Sequence, residues 1–294
     1  MGALAWLAFQ GPRQPRFPFH EAEAIERAQR RRVAATIRYA YRYVPYYRET
    51  IDRMGVAPAD IRTASDLARL PVIERSQLQT DPEHLTSRVR PLDRYVRLQS
   101  SGSSGSPVTV YHDPLALIRA AGYYQRLGWV LHREAGRRFG CRTLEIGHPF
   151  RTELLQTEET LRRLSRLMGS RELSVSILDP VERSVEQINR FRPHVLSSFG
   201  SYIEKLFVHL HASGEPFHRP AVITYGSDAI SPAVRKLITE SFGIPVYSDY
   251  GAYEAFFIGF ECPAHLGYHI NVDLCPIRVV DPEGRALPEG ERGE

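Results

Sequence analysis

Cysteine, methionine, tryptophan and lysine are all scarce in this 294-residue chain. The three cysteines, Cys141, Cys262 and Cys275, are too few for a disulfide framework, so a reducing, cytoplasmic compartment is expected. No apolar run approaches the ~20 residues of a membrane-spanning helix. Residues 1–10 are apolar but short and follow no basic segment, which argues against a secretory signal. No internal repeat is visible. Of 38 Lys+Arg only Lys205 and Lys236 are lysines, and the 34 Asp+Glu leave a formal charge of +4. The arginines are dispersed and interleaved with acids, and no nucleic-acid recognition motif is present. A nucleic-acid partner is therefore not expected, whereas a mildly basic surface suits a polyphosphate ligand.

What is present is an ordinary globular composition, 43% hydrophobic and 24% charged, in a chain long enough for a sizeable core. Three stretches differ in pattern. Residues 1–94 read as a helical N-terminal part. Val33, Ile37, Tyr41 and Val44 share a helix face, Pro45 stops that helix, and a second runs from Tyr46 to Met54. Residues 95–275 alternate strand and helix. Strands are expected at 95–98, 108–111, 143–146, 173–178, 195–198, 221–225 and 246–247. Helices are expected at 114–130, 181–191, 202–210 and 232–242. That alternation predicts an α/β fold with parallel, helix-covered sheets. Residues 276–294 carry turn signals around a strand at 277–280 and read as the incomplete start of a β-rich subdomain.

Three segments are candidates for chemistry. The run Ser100–Ser101–Gly102–Ser103–Ser104–Gly105–Ser106–Pro107 joins two predicted strands. Its glycines allow close backbone approach, its hydroxyls and amides supply donors, and successive amides can form an anion nest. By composition alone a Ser/Gly linker is the competing reading. It is not a Walker A loop, because the Gly-Lys-Ser/Thr ending is missing. Tyr225–Gly226–Ser227–Asp228 is a glycine turn at a strand end. Tyr250–Gly251–Ala252–Tyr253–Glu254 also lies at the carboxyl end of a strand, where open α/β sheets bind ligands. An aromatic there can stack on a base, and a carboxylate can share Mg²⁺ with phosphate oxygens.

In this order and context the three segments resemble the core motifs of the adenylate-forming superfamily, in particular its phenylacetate–CoA ligase and CapK-like branch. The phosphate loop of that branch typically reads SSGTTGKP against SSGSSGSP here. Its YGxSE or YGxTE motif stands against YGAYE, and its G-(A/G)-E-P turn against Gly226–Ser227–Asp228–Ala229. Val44–Pro45–Tyr46–Tyr47–Arg48, 66–71 and 281–294 are similar as well, so the resemblance covers nearly the whole chain.

The resemblance implies that a small-molecule carboxylic acid attacks ATP to give an acyl-adenylate, which then passes to coenzyme A. It implies that Ser101, Gly102, Ser103, Ser104 and Gly105 cradle the phosphates, with Ser104 and Glu254 as catalytic residues. Gly226, Ser227 and Asp228 would line the adenine, Tyr250 would stack on it, Gly251 and Tyr253 would flank the nucleotide, and Glu254 would bind Mg²⁺. Phe199, Ser201 and Tyr202 fall where the branch has its acyl-site segment, and His148–Pro149–Phe150 is a weaker candidate for the same pocket. Three positions depart from the pattern: Ser106 replaces the loop lysine, Tyr253 the Ser/Thr, and Asp228 the Glu. The family's ribose-binding Asp and catalytic Lys lie beyond the segment matched by 293–294, so the small C-terminal domain is expected to be absent. The alternative is therefore a non-catalytic or truncated ATP/AMP-binding relative, for example of the CapK-like kind in polysaccharide biosynthesis. Cys262, His265 and His269 have Zn²⁺-ligand spacing, against a competing reading as a buried cysteine beside two polar histidines. Nothing in the sequence fixes the acid, the acceptor or the oligomeric state.

Overall fold

The computed structural model describes residues 10–99, 107–137, 140–148 and 170–293. The Ser/Gly loop from 100 to 106 and residues 149–150 lie outside the described residues. Two compact units result. One comprises Phe19–Val89 with Ile270–Glu294, the other Met1–Pro18 with Arg90–His269.

The first unit is helical. Helix α1, Ala22–Tyr43, stops because Val44 takes the extended backbone required before a proline, φ −111° and ψ 115°. Pro45 then opens α2, Pro45–Arg53, at a position where its missing N–H costs nothing. Val33 and Ile37 of α1 pack with Ile51 of α2 and with Ile61. Helix α3 spans Arg75–Thr80. The segment after Ile270 docks on α1: Gln29 Nε2 donates to the Val272 carbonyl at 2.8 Å, and Arg32 pairs with the buried Asp273 at 3.1 Å. The strand expected at 277–280 does not form among the described residues. Only a Val280–Ala286 bridge is present, because Asp281 turns the chain by accepting from the Glu283 and Arg285 amides.

The second unit opens with an antiparallel ribbon, β1 (Val96–Gln99) and β2 (Thr109–His112), whose connection carries the Ser/Gly run. Asp113 Oδ1 accepts from the Leu115 amide and Pro114 starts α4, Pro114–Tyr123. The helix expected at 114–130 forms as two segments that meet at Tyr124, whose backbone stays helical at φ −60° and ψ −15°, the second being α5, Gln125–Glu134. There follow β3 (Arg142–Gly147), β4 (Arg171–Ser176), α6 (Val181–Phe191), β5 (Val195–Phe199), α7 (Gly200–Ser213), β6 (Val222–Gly226), α8 (Pro232–Lys236), β7 (Val246–Ala252), β8 (Phe256–Glu261) and β9 (Tyr268–Ile270).

The seven strands β3–β9 form one sheet in the order β4-β3-β5-β6-β7-β8-β9. Strands β3 to β7 pair in parallel and β8 returns antiparallel on β7. Both faces are covered, so the central strands are apolar on both sides. Leu144, Leu196, Ile223 and Val246 pack against Val185, Ile188, Ile203 and Phe207 of α6 and α7. Val195, Val222, Tyr247 and Phe257 pack against Leu127, Val130 and Leu131 of α5. The expected parallel, helix-covered α/β sheet is what forms. Among the described residues no helix is long and apolar enough to cross a membrane.

Candidate functional site

The sheet positions a site through its strand order. Chain order runs outward from β3 to β4, then resumes on the other side of β3 at β5, so a topological switch point lies between β3 and β5. In open α/β sheets a crevice forms outside the carboxyl ends of the strands at such a point. Phe199 and Ser201 leave β5 there, and Gly226, Ser227 and Asp228 leave the neighbouring β6. Tyr202 is directed elsewhere. It is 6% exposed, and its hydroxyl meets Ser184 Oγ of α6 at 2.8 Å inside the core.

The turn after β6 is tightly built. Ser227 is in the left-handed region at φ +71°, and the Asp228 amide bonds back to the Gly226 carbonyl at 2.9 Å. Asp228 Oδ1 accepts from the Ser201 amide, satisfying a free donor in the first turn of α7. Gly200 is required by close approach. A Cβ there would lie 2.5 Å from the Asp228 carbonyl oxygen and 2.8 Å from the Ala229 carbonyl carbon, which are backbone atoms that cannot yield. Gly200→Ala is expected to cost about 2–3 kcal/mol and to displace the 227–229 turn. A urea titration checks the first expectation, and a midpoint equal to wild type would contradict it.

Asp249 of β7 was not singled out from the sequence. Its carboxylate oxygens would lie 2.9 and 3.0 Å from a Cβ on Gly226, so it sits directly against the turn. Burial pushes its pKa up to about 6, opposed by its own amide. A folded-state value above the ordinary one means that Asp249 contributes stability below about pH 4. That contribution is lost as pH rises through about 6. Asp249→Asn is therefore expected to gain about 2 kcal/mol over wild type at pH 7 and to flatten the stability profile between pH 4 and 6. Urea midpoints across that range measure it, and parallel profiles would refute it.

Strand β7 continues past its last pairing with β6, Tyr225 to Ser248, into a hairpin with β8. The segment Tyr250–Glu254 is the end of that strand and its turn, a hairpin that the sequence reading did not anticipate. A register shift falls at Tyr250/Gly251, and Gly251 backs so closely onto the Phe256 carbonyl that a side chain is excluded. The Ala255 amide bonds to the Ala252 carbonyl, and Phe256 closes the turn at φ +57°. Glycine usually holds that closing position; a phenylalanine there costs about 1–2 kcal/mol. Tyr250 and Tyr253 are exposed and Glu254 stands exposed at the tip. His112 of β2 reaches this turn. Its Nε2 lies 2.7 Å from the Tyr253 carbonyl oxygen and its ring packs on Phe256 at 4.3 Å. Burial lowers its pKa, with the Tyr253 bond and the Glu254 charge acting in the opposite sense.

Beneath the hairpin lies a polar layer. Arg235 of α8 donates to both carboxylate oxygens of Glu261, at 3.1 and 2.8 Å, and to the Val246 carbonyl at 2.9 Å. Glu261 also accepts from the Ser248 amide, and Ser248 Oγ meets Tyr268 OH.

The zinc expectation is not met. His265 stacks on Tyr247 and its Nδ1 faces the Arg235 guanidinium at 3.3 Å, while His269 stacks on Phe260. Among the described residues no group of three or more His, Cys, Asp or Glu could hold a metal ion. Glu254 alone suits Mg²⁺ only as a cation shared with a ligand's phosphates.

No family model matches the chain. It is 28% identical to the phenylacetate–coenzyme A ligase of Thermus thermophilus, over 95% of this chain and 62% of that one. It is also 28% identical to the Escherichia coli phenylacetate–coenzyme A ligase, over 92% and 62%. Among solved structures, 2-hydroxyisobutyryl-CoA ligase in complex with 2-HIB-AMP and CoA superposes with a TM-score of 0.76 at 19% identity, covering 96% of this chain and 60% of that one. This chain has the fold of the adenylate-forming enzymes. Its sequence is similar to phenylacetate–CoA ligases across most of its own length, yet it spans only about three fifths of theirs.

Proposed function

We propose that the chain binds ATP and serves in activating a carboxylic acid as its acyl-adenylate, with coenzyme A as the acceptor. The observation that carries this reading is the convergence of three elements at the carboxyl edge of one parallel sheet. They are the β5 end with Phe199 and Ser201, the β6 turn with Gly226–Asp228, and the β7–β8 hairpin with Tyr250 and Glu254. The similarity to phenylacetate–CoA ligases supports the acid and the acceptor. In this reading Ser101–Gly105 hold the β- and γ-phosphates, Gly226, Ser227 and Asp228 border the adenine, and Tyr250 stacks on it. Gly251 and Tyr253 flank the nucleotide, and Phe199 and Ser201 meet the acyl group. Glu254 holds Mg²⁺, which neutralises phosphate charge. The protein's part in the chemistry is positioning and charge stabilisation.

A second reading, a nucleotide binder that does not turn over, is favoured by Ser106 and Tyr253, which remove a cation and a small hydroxyl from the expected pattern. Acid-dependent ATP–pyrophosphate exchange with a panel of aryl acids, phenylacetate included, separates the two. Exchange supports activation, and MgATP binding without exchange supports the second reading. Absence of both ATP and AMP binding by calorimetry would overturn the proposal.

A further inference from the structure

We propose that His112 is a positioning residue that ties the β1–β2 ribbon to the turn presenting Glu254, and thereby sets the affinity for the metal–triphosphate part of the nucleotide. The inference rests on the ATP-binding reading above. Its observations are separate from those that carry that reading. His112 ends β2 and Phe256 opens β8, and the two rings pack with centroids 4.3 Å apart. The Tyr253 carbonyl can only accept, so His112 Nε2, 2.7 Å away, carries the proton and donates. Tyr253 is the residue immediately before Glu254, so this bond holds the peptide that leads to the carboxylate.

The turn needs such a hold. Phe256 occupies a left-handed backbone conformation at φ +57°, and such strained positions persist only where their surroundings over-determine them. Here the determinants include the Ala252–Phe256 pairing of the β7–β8 ladder and the Ala255–Ala252 hydrogen bond within the turn and, from outside the hairpin, the His112 ring and its donor. Glu254 itself is exposed and is the group that would meet the cation. Releasing the Tyr253 carbonyl lets the turn sample other conformations. Affinity is then lost for a ligand that needs Glu254 in place, and kept for one that does not.

Two variants separate the donor from the ring. His112→Phe keeps the packing on Phe256 and removes the donor, whereas His112→Gln places an amide N–H near the former Nε2. Calorimetry with MgATP and with metal-free AMP is expected to show that His112→Phe weakens MgATP about tenfold, the worth of one hydrogen bond, with AMP within twofold of wild type. His112→Gln is expected to recover MgATP binding to within about threefold. Unchanged MgATP binding in His112→Phe, equal losses for both nucleotides, or no rescue by glutamine would each overturn the proposal. Amide hydrogen exchange without nucleotide reads the tie directly. The Ala255 amide, which bonds the Ala252 carbonyl within the turn, is expected to exchange about tenfold faster in His112→Phe, and unchanged exchange would overturn the tie. Should the wild-type chain bind neither nucleotide, the ATP reading and the affinity claim fall together, and the exchange measurement alone decides whether the tie exists.

Discussion

Arg235→Ala is expected to destabilise the sheet-bearing unit by about 3 kcal/mol. Arg235 and Glu261 have side chains only 27% and 11% exposed, so neither is a surface ion pair that salt and water would neutralise. Glu261 is held by both guanidinium bonds and by the Ser248 amide. Removing the arginine leaves a nearly buried carboxylate with a single amide donor. Breaking a buried pair in this way typically costs 3–5 kcal/mol, and partial exposure of Arg235 places this case at the low end. The same truncation frees the Val246 carbonyl and removes a donor at 3.3 Å from the Tyr225 hydroxyl. Glu261→Gln is expected to cost less, about 1–2 kcal/mol, because the half-buried guanidinium keeps the Val246 carbonyl. In the double variant the losses should not add, since each mutation removes the same interaction. Urea unfolding of the two single variants and the double variant measures all three. A loss below about 1 kcal/mol for Arg235→Ala, or strict additivity, would sink this account. The pair also bears on function. The Ser248–Glu261 bond ties β7 to β8 and the Ser248–Tyr268 bond ties β7 to β9 at the base of the hairpin, so loosening them disturbs the register that presents Tyr250 and Glu254.

Much of this arrangement was legible in the sequence, and what was not has physical causes. Alternating apolar strands and helices announce a parallel sheet because both of its faces are buried. Val195–Leu196 and Val222–Ile223 read as continuous apolar runs for that reason. Pro45 and Pro114 mark helix starts through their fixed backbone. Strand β8, Phe256–Glu261, was missed because the turn before it has no glycine where φ is positive, so no hairpin signal precedes the apolar run. Tyr202 looked like a pocket residue from its place after β5. A helix starting at Gly200 instead rotates it inward onto Ser184. His112, Asp249 and the Arg235–Glu261 pair left no local signal, because each acts across 13 to 141 residues of chain. Cys262, His265 and His269 show the converse. Ligand-like spacing is a statement about the chain, whereas stacking on Tyr247 and Phe260 is decided by the sheet.

Glu254→Gln is expected to weaken MgATP binding about a hundredfold while leaving metal-free AMP within about twofold. The change is isosteric and the side chain is exposed at the hairpin tip, so fold and turn should be retained. What changes is charge. A neutral amide oxygen is a poor ligand for a hard dication that prefers carboxylate and phosphate oxygens. The size of the expected loss follows from the proposed reading of the Ser/Gly loop: with Ser106 where a lysine would stand, no loop cation would offset the triphosphate, and a metal held by Glu254 would carry that task. The dependence on Mg²⁺ should therefore be steep in the wild type and nearly flat in the variant. Restoring a cation by Ser106→Lys in the Glu254→Gln background should recover part of the affinity without recovering the Mg²⁺ dependence. Calorimetric titrations of ATP at several Mg²⁺ concentrations, in the wild type and both variants, test the chain of reasoning. Equal losses for AMP and MgATP in Glu254→Gln would mean that the turn shapes the base pocket rather than the metal site. Unchanged binding of both would remove Glu254 from the site altogether.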